Sequence, residues 1–193
     1  MTEDEILSEF RSVEALLEGH FLLSSGRHSA YYLQCARLLM NPERAGRIAL
    51  AITQKIPREL RSEVEVVISP AMGGIIIGYE MARALGVDAL FVERPDGVFG
   101  LRRGFSLAPG TKVLLIEDVV TTGLSSREAI AAIESAGGIV IAAGAVVDRS
   151  AGTAELGVPF FPLIQLNFPT YAPDELPPEL ATSEAVKPGS RKL

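Results

Sequence analysis

Apolar and polar positions along this chain change their period several times, and each change predicts a new element. Ile6, Leu7, Phe10, Val13, Leu16 and Leu17 recur at three- and four-residue spacings, which predicts one amphipathic helix over residues 2–19. Thr2 followed by Glu5 has the form of a capping box, and Gly19 offers a stop. Residues 21–34, FLLSSGRHSAYYLQ, read as two short strands around an SGRHS turn. Asn41-Pro42 predicts a second helix to about Lys55, with Asn as N-cap and Pro at the first helical position. From Val64 onward, short apolar runs alternate with helical patterns. Strands are predicted at 64–69, 89–93, 112–117 and 139–147, helices at 73–85 and 124–136, and a short last strand at 162–166. Apolar strands separated by helices predict an α/β fold whose central, mostly parallel sheet is covered on both faces. The proline-rich, polar segment 169–193 is expected to wrap the surface or fray.

In open sheets of this kind, ligands gather beyond the carboxyl ends of the strands. The unusual residues lie at those ends: Ser69 to Gly74 (SPAMGG), Glu93-Arg94, Glu117-Asp118 and Asp148-Arg149. The segment 113–126, VLLIEDVVTTGLSS, is the most informative. A β-branched run delivers two adjacent carboxylates to a turn of hydroxyls and glycine that opens a helix. Turn amides and the helix dipole suit a phosphate, and the acids can accept hydrogen bonds from sugar hydroxyls. An ordinary strand-to-helix turn with Thr and Ser caps explains the hydroxyls but not two acids ending a buried strand. Neither a GKS/GKT phosphate loop nor a GxGxxG fingerprint is present.

Composition narrows the partners. The chain has 193 residues, enough for one domain with a substantial core. A net charge of −6 argues against a general nucleic-acid role, because backbone affinity needs concentrated Lys and Arg. No apolar stretch is long and charge-free enough to span a bilayer. The N-terminus MTEDEILSEF is acidic where a secretory signal is basic, and a lone Cys35 gives no disulfide framework, so a cytoplasmic location is expected. Cys35 reads as a small core residue, and His20 and His28 lack metal-ligand spacing.

EDVVTTG resembles the phosphoribosyl-pyrophosphate signature of type I phosphoribosyltransferases. The resemblance implies that fold, with residues 1–193 as a single domain, 1–40 contributing a small N-terminal hood and 169–193 a surface tail. It implies that Glu117 and Asp118 hold the ribose 2′ and 3′ hydroxyls. The turn Val119, Val120, Thr121, Thr122, Gly123, Leu124 and Ser125 would cradle the 5′-phosphate. Ala71, Met72, Gly73 and Gly74 match the loop that binds pyrophosphate; taken alone, they could equally be a helix-packing βα turn. RPDGVFGLRRG (residues 94–104) reads either as a solvated hairpin or as a mobile lid. As a lid, its Arg94, Arg102 and Arg103 would act with Asp118 as the catalytic set, closing over the charge that builds on pyrophosphate.

SGRHSAYY (residues 25–32) resembles the hood of the orotate phosphoribosyltransferases within that family, where an aromatic residue lies against the pyrimidine ring; Tyr32 takes that position. Arg149 matches the family's base-binding arginine and can pair with the orotate carboxylate, and Thr121 lies near the base by the same resemblance. Without it, Tyr31 and Tyr32 would read as strand residues and Arg149 as a solvent-side partner of Asp148. The resemblance further implies Mg²⁺, held mainly through substrate rather than by protein ligands, and a homodimer whose loop completes the neighbouring site. The chain departs from many relatives at Ser24, where they carry lysine, and at Ala30, where they carry proline. Its loop has Pro95, Val98 and Gly100 in place of the lysines and histidine of the enteric type, and the cysteine pair of the shorter-loop branch is missing around Leu176 to Leu180. The expected activity is orotate phosphoribosyl transfer in pyrimidine synthesis. The alternatives are a transferase for another base, such as a purine, and a non-catalytic regulator that binds phosphoribosyl pyrophosphate. Neither nucleic acid nor membrane is an expected partner.

Overall fold

A computed structural model describes residues 1–23 and 25–188. Ser24, the site of one expected departure, and residues 189–193 of the expected surface tail lie outside them. In chain order the elements are α1 (Glu3–Ser12), β1 (Leu16–Leu22), β2 (His28–Leu33), α2 (Cys35–Leu39), α3 (Pro42–Lys55), α4 (Arg58–Glu63), β3 (Val66–Pro70), α5 (Gly74–Leu85) and β4 (Asp88–Glu93). There follow β5 (Gly100–Leu101), β6 (Lys112–Val120), α6 (Leu124–Ser135), β7 (Ile139–Asp148), β8 (Phe160–Gln165), β9 (Thr170–Tyr171) and α7 (Pro178–Ala181). Among the described residues, no helix is long and apolar enough to cross a membrane.

The chain divides into two compact units. One is Leu39–Leu166 with Met1; the other is Thr2–Leu38 with the segment from Asn167.

The larger unit is built on a sheet of order β5-β4-β3-β6-β7-β8, parallel except for the β4–β5 hairpin. Its parallel strands follow the doubly wound order in which the first strand, β3, sits between the second and the third. The direction of winding therefore reverses between β3 and β6, and a ligand crevice opens at such a switch point. SPAMGG begins in the last two residues of β3 and EDVVTTG begins in the last four of β6, so both motifs stand on that crevice. α3 and α5 cover one face and α6 the other. On the α6 face, Ile68, Val113, Leu115, Ala129, Ile133 and Ala143 form a buried cluster, each larger side chain contributing about 1.5–3 kcal/mol. α3 starts as its sequence dictates: Asn41 Oδ1 accepts from the Arg44 N–H at 3.0 Å and Pro42 opens the first turn.

The smaller unit has an antiparallel sheet of order β1-β2-β9. Here one expectation fails. The helix from Thr2 ends at Ser12 rather than Gly19, although its capping box forms as the sequence predicts. Glu14 turns the chain with a φ of 53°, and Leu16 and Leu17 enter β1, paired with Leu33 and Tyr32. Their helical spacing is overridden by strand partners far along the chain. The C-terminal segment, expected to wrap or fray, supplies β9 beside His28 and Ser29, and Val186 bridges Phe21. Arg27 adds bonds from Nε to Thr170 Oγ1 at 2.9 Å and from Nη2 to the Thr170 carbonyl at 2.7 Å. His20 and His28, without metal-ligand spacing in the sequence, hydrogen-bond each other ring to ring at 2.6 Å.

Candidate active site

β6 carries its acids to the crevice because the four residues before them, Val113 to Ile116, are all apolar and buried. Glu117 is only 7% exposed. Its side chain accepts a long bond, 3.5 Å, from Ser126 Oγ. Burial pushes the Glu117 carboxyl up to about 8, and the adjacent Asp118 charge adds to the rise; the Ser126 bond and the Arg94 charge act in the opposite direction. Asp118 is also raised, mainly by burial, against the lowering effect of the Val119 N–H, which it accepts at 2.9 Å, and of its own N–H. Two neighbouring carboxyls that resist ionisation are suited to partners that bring donors or positive charge.

The turn after β6 is tightly packed. Gly123 has a φ of +73°, open to glycine at no cost, and a Cβ there would fall 2.7 Å from Leu156 Cδ2. α6 then begins without a side-chain cap at Gly123, so its first N–H groups and the positive end of its dipole face the turn. Thr121, Thr122, Leu124 and Ser125 are exposed there, and Thr122 Oγ1 accepts from the Leu124 N–H at 3.3 Å.

The two motifs meet at one contact. A Cβ on Gly73 would lie 2.5 Å from Asp118 Oδ2, so the Asp118 carboxylate lies directly against the backbone of the SPAMGG loop. Ala71 precedes Met72 through a cis peptide bond, its N–H donates to the Val92 carbonyl at 2.8 Å, and the Met72 side chain is exposed.

The three loop arginines divide. Arg94 is drawn to the turn: Nη2 donates to Ser125 Oγ at 3.3 Å, lies 3.0 Å from Glu128 Oε2, and its guanidinium carbon stands 4.0 Å from the Phe99 ring centre. Arg103 instead forms a forked pair with Glu93, at 2.7 and 3.2 Å, on the outside of β4. Arg102 is exposed. Residues 100–101 form β5, so the loop begins as a short hairpin on β4.

Arg149 follows β7, and its N–H donates to the Val120 carbonyl at 2.7 Å, which sets its backbone beside the start of the turn. The Asp148 carboxylate accepts from the Ser150 N–H and the Gln165 amide. Tyr32 belongs to the smaller unit, on β2, its ring 5.7 Å from that of Phe21. Arg127 was not singled out by the sequence: its Nη1 donates to the main-chain carbonyls of Thr122 and Glu155. Carbonyl acceptors carry no sequence signature, so only the fold could reveal it.

With this geometry in view, comparison with known proteins gives a consistent result. Residues 36–161 match the phosphoribosyl transferase domain family. An orotate phosphoribosyltransferase of Novosphingobium aromaticivorans is 76% identical over 191 residues, covering 99% of this chain and 98% of that one. Another, of Sphingopyxis alaskensis, is 68% identical over 194 residues, covering 100% of this chain and 99% of its own. Among solved structures, orotate phosphoribosyltransferase from Aeropyrum pernix superposes with a TM-score of 0.68 at 26% identity, over 83% of this chain and 93% of that one. The chain belongs to the phosphoribosyltransferase family and, within it, to the orotate phosphoribosyltransferases.

Proposed function

We propose that this chain transfers the phosphoribosyl group of phosphoribosyl pyrophosphate to orotate, giving orotidine 5′-monophosphate and pyrophosphate in pyrimidine nucleotide synthesis. Beside the family membership, the observation that carries this reading is the contact of the Asp118 carboxylate with Gly73. It puts a pair of acids and an amide-bearing loop around one point of the crevice. Ribose hydroxyls donate to Glu117 and Asp118. The 5′-phosphate sits on the amides of residues 119–125, at the positive end of α6. Ala71, Met72, Gly73 and Gly74 receive pyrophosphate.

As the anomeric carbon parts from pyrophosphate, the bonding pair leaves with the phosphate oxygen; the ring nitrogen of orotate gives up its proton to the departing pyrophosphate or to solvent and bonds to the same carbon through an oxocarbenium-like state. The protein's work is positioning and electrostatics. Arg94 stands at the turn already, while Arg102 and Arg103 reach the leaving group by closure of the 94–104 loop. Arg149 pairs with the orotate carboxylate, Thr121 lies near the base, and Tyr32 keeps the role of aromatic partner to the ring. Mg²⁺ would be held mainly through substrate oxygens, with Glu117 and Asp118 offering hard oxygens beside it, and would supply charge neutralisation on pyrophosphate when bound. The reading includes a cytoplasmic homodimer in which the loop of one subunit completes its neighbour's site, with no nucleic-acid or membrane partner. Sedimentation of the purified protein tests the dimer.

A spectrophotometric assay tests the activity by following orotate in the presence of phosphoribosyl pyrophosphate and Mg²⁺. Orotate consumption without turnover of adenine or hypoxanthine supports the reading; turnover of purines with orotate untouched overturns it. Arg149→Ala should raise the KM for orotate far more than the KM for phosphoribosyl pyrophosphate, and equal losses would sink the assignment of Arg149.

A further inference from the structure

Arg127 lies one turn into α6 and carries no role in the reading above. We propose that it is a positioning residue that fastens the phosphate turn to the segment following Arg149, so that the sugar-phosphate and base ends of the site share one geometry. This inference rests on the assignment of those two ends under the proposed function.

The contact is specific in its acceptors. Arg127 Nη1 donates to the Thr122 carbonyl at 3.1 Å and to the Glu155 carbonyl at 3.0 Å. Thr122 is in the middle of the phosphate turn, and Glu155 lies on the connection from β7 to β8. Hydrogen bonds from a charged donor are stronger than neutral ones. The surrounding packing leaves no slack. A Cβ on Gly123 would meet Leu156 Cδ2 at 2.7 Å and Arg127 Nη1 at 3.0 Å, and Leu156 is itself anchored in the buried cluster under α6.

From Glu155 the linkage runs back to Arg149 through short bonds. The Ala154 N–H donates to Ser150 Oγ at 3.0 Å, Thr153 Oγ1 donates to the Ser150 carbonyl at 2.6 Å, and the Ser150 N–H donates to Asp148 Oδ1 at 2.8 Å. The Arg149 N–H closes the circuit on the Val120 carbonyl at 2.7 Å. These bonds tie residues 148–154 together, and Arg127 joins the next residue, Glu155, to the turn at Thr122. An exposed arginine is by itself worth little to stability. Its value here lies in which two segments it joins.

The test is a comparison of KM values in Arg127→Ala and Arg127→Lys, with kcat and the melting temperature measured alongside. Arg127→Ala should raise the KM for phosphoribosyl pyrophosphate and the KM for orotate together, each on the order of tenfold, with a smaller change in kcat. Added guanidinium ion should restore part of both. Arg127→Lys, which keeps a charged donor, should show smaller parallel rises, and it carries the comparison if the alanine variant does not fold. A rise in one KM only, or a fall in melting temperature with both KM values unchanged, overturns the proposal. Asp118→Asn separates this from the underlying reading: if that variant binds phosphoribosyl pyrophosphate normally, the site assignment fails and the role of Arg127 falls with it. If Asp118→Asn weakens binding while Arg127→Ala leaves both KM values alone, the inference about Arg127 alone is wrong.

Discussion

Glu117 and Asp148 are both carboxylates buried near the carboxyl ends of adjacent parallel strands, yet their surroundings are opposite. Asp148, 1% exposed, accepts the Ser150 N–H at 2.8 Å and the Gln165 amide at 3.2 Å. Glu117, almost as deeply buried, accepts a 3.5 Å bond from Ser126 and carries a second carboxyl beside it. Burying an acid is tolerable when donors replace water, and costly when they do not. Asp148 has been incorporated into the architecture of the β7–β8 connection. Glu117 is held back with its hydrogen-bonding capacity in reserve. An acid kept under-satisfied at a strand end marks the place where an incoming molecule completes the structure.

The sharpest way to break this contrast is Glu117→Gln. That variant should lower kcat/KM for phosphoribosyl pyrophosphate by about 10²–10³-fold, with no loss of melting temperature; steady-state kinetics beside calorimetry decide it, and retained activity would erase the distinction. The pH profile of the unliganded protein comes next. The folded-state value of Glu117, about 8, lies above its ordinary 4.5. The stability this group contributes is therefore full below about 4.5 and is lost as pH rises through 8. Denaturant titrations should show a decline on the order of a few kcal/mol over that window, flattened in Glu117→Gln. Under the proposed function, binding of phosphoribosyl pyrophosphate should tighten from pH 6 to 8, because an ionised Glu117 accepts more strongly from ribose hydroxyls than a protonated one.

Asp148→Ala should show the reverse of Glu117→Gln. It strands the Ser150 N–H and the Gln165 amide and should cost about 2–3 kcal/mol of stability, read from the denaturant midpoint. An unchanged midpoint would mean Asp148 is not the structural member of the pair. The smallest effect concerns Gly73. Gly73→Ala pushes a methyl against the Asp118 carboxylate, and should raise the KM for phosphoribosyl pyrophosphate about tenfold while leaving the melting temperature in place.

Much of this was legible from the chain. The central strands β6 and β7 announce themselves because both faces are covered, so Val113–Ile116 and Ala142–Val147 run without a polar side chain. EDVVTTG was legible because acids at the end of such a strand violate the pattern around them. Other features were not. Leu16 and Leu17 fit a helical spacing, and only their pairing with β2 makes them strand. β5 and β9 are two residues long, too short for any periodicity. The parting of Arg94 from Arg103 depends on where Ser125, Glu128 and Glu93 come to lie, which a row of arginines in a loop does not encode.

The seat of Arg94 has one more consequence. An arginine side chain holds roughly 2 kcal/mol of rotamer entropy, and ordering it at the moment of ligand capture would subtract that much from affinity. Against the Phe99 ring, with Ser125 and Glu128 at its guanidinium, this side chain has surrendered its freedom during folding. Under the proposed function, a phosphorylated substrate arriving at the turn would meet a cation that is already in place.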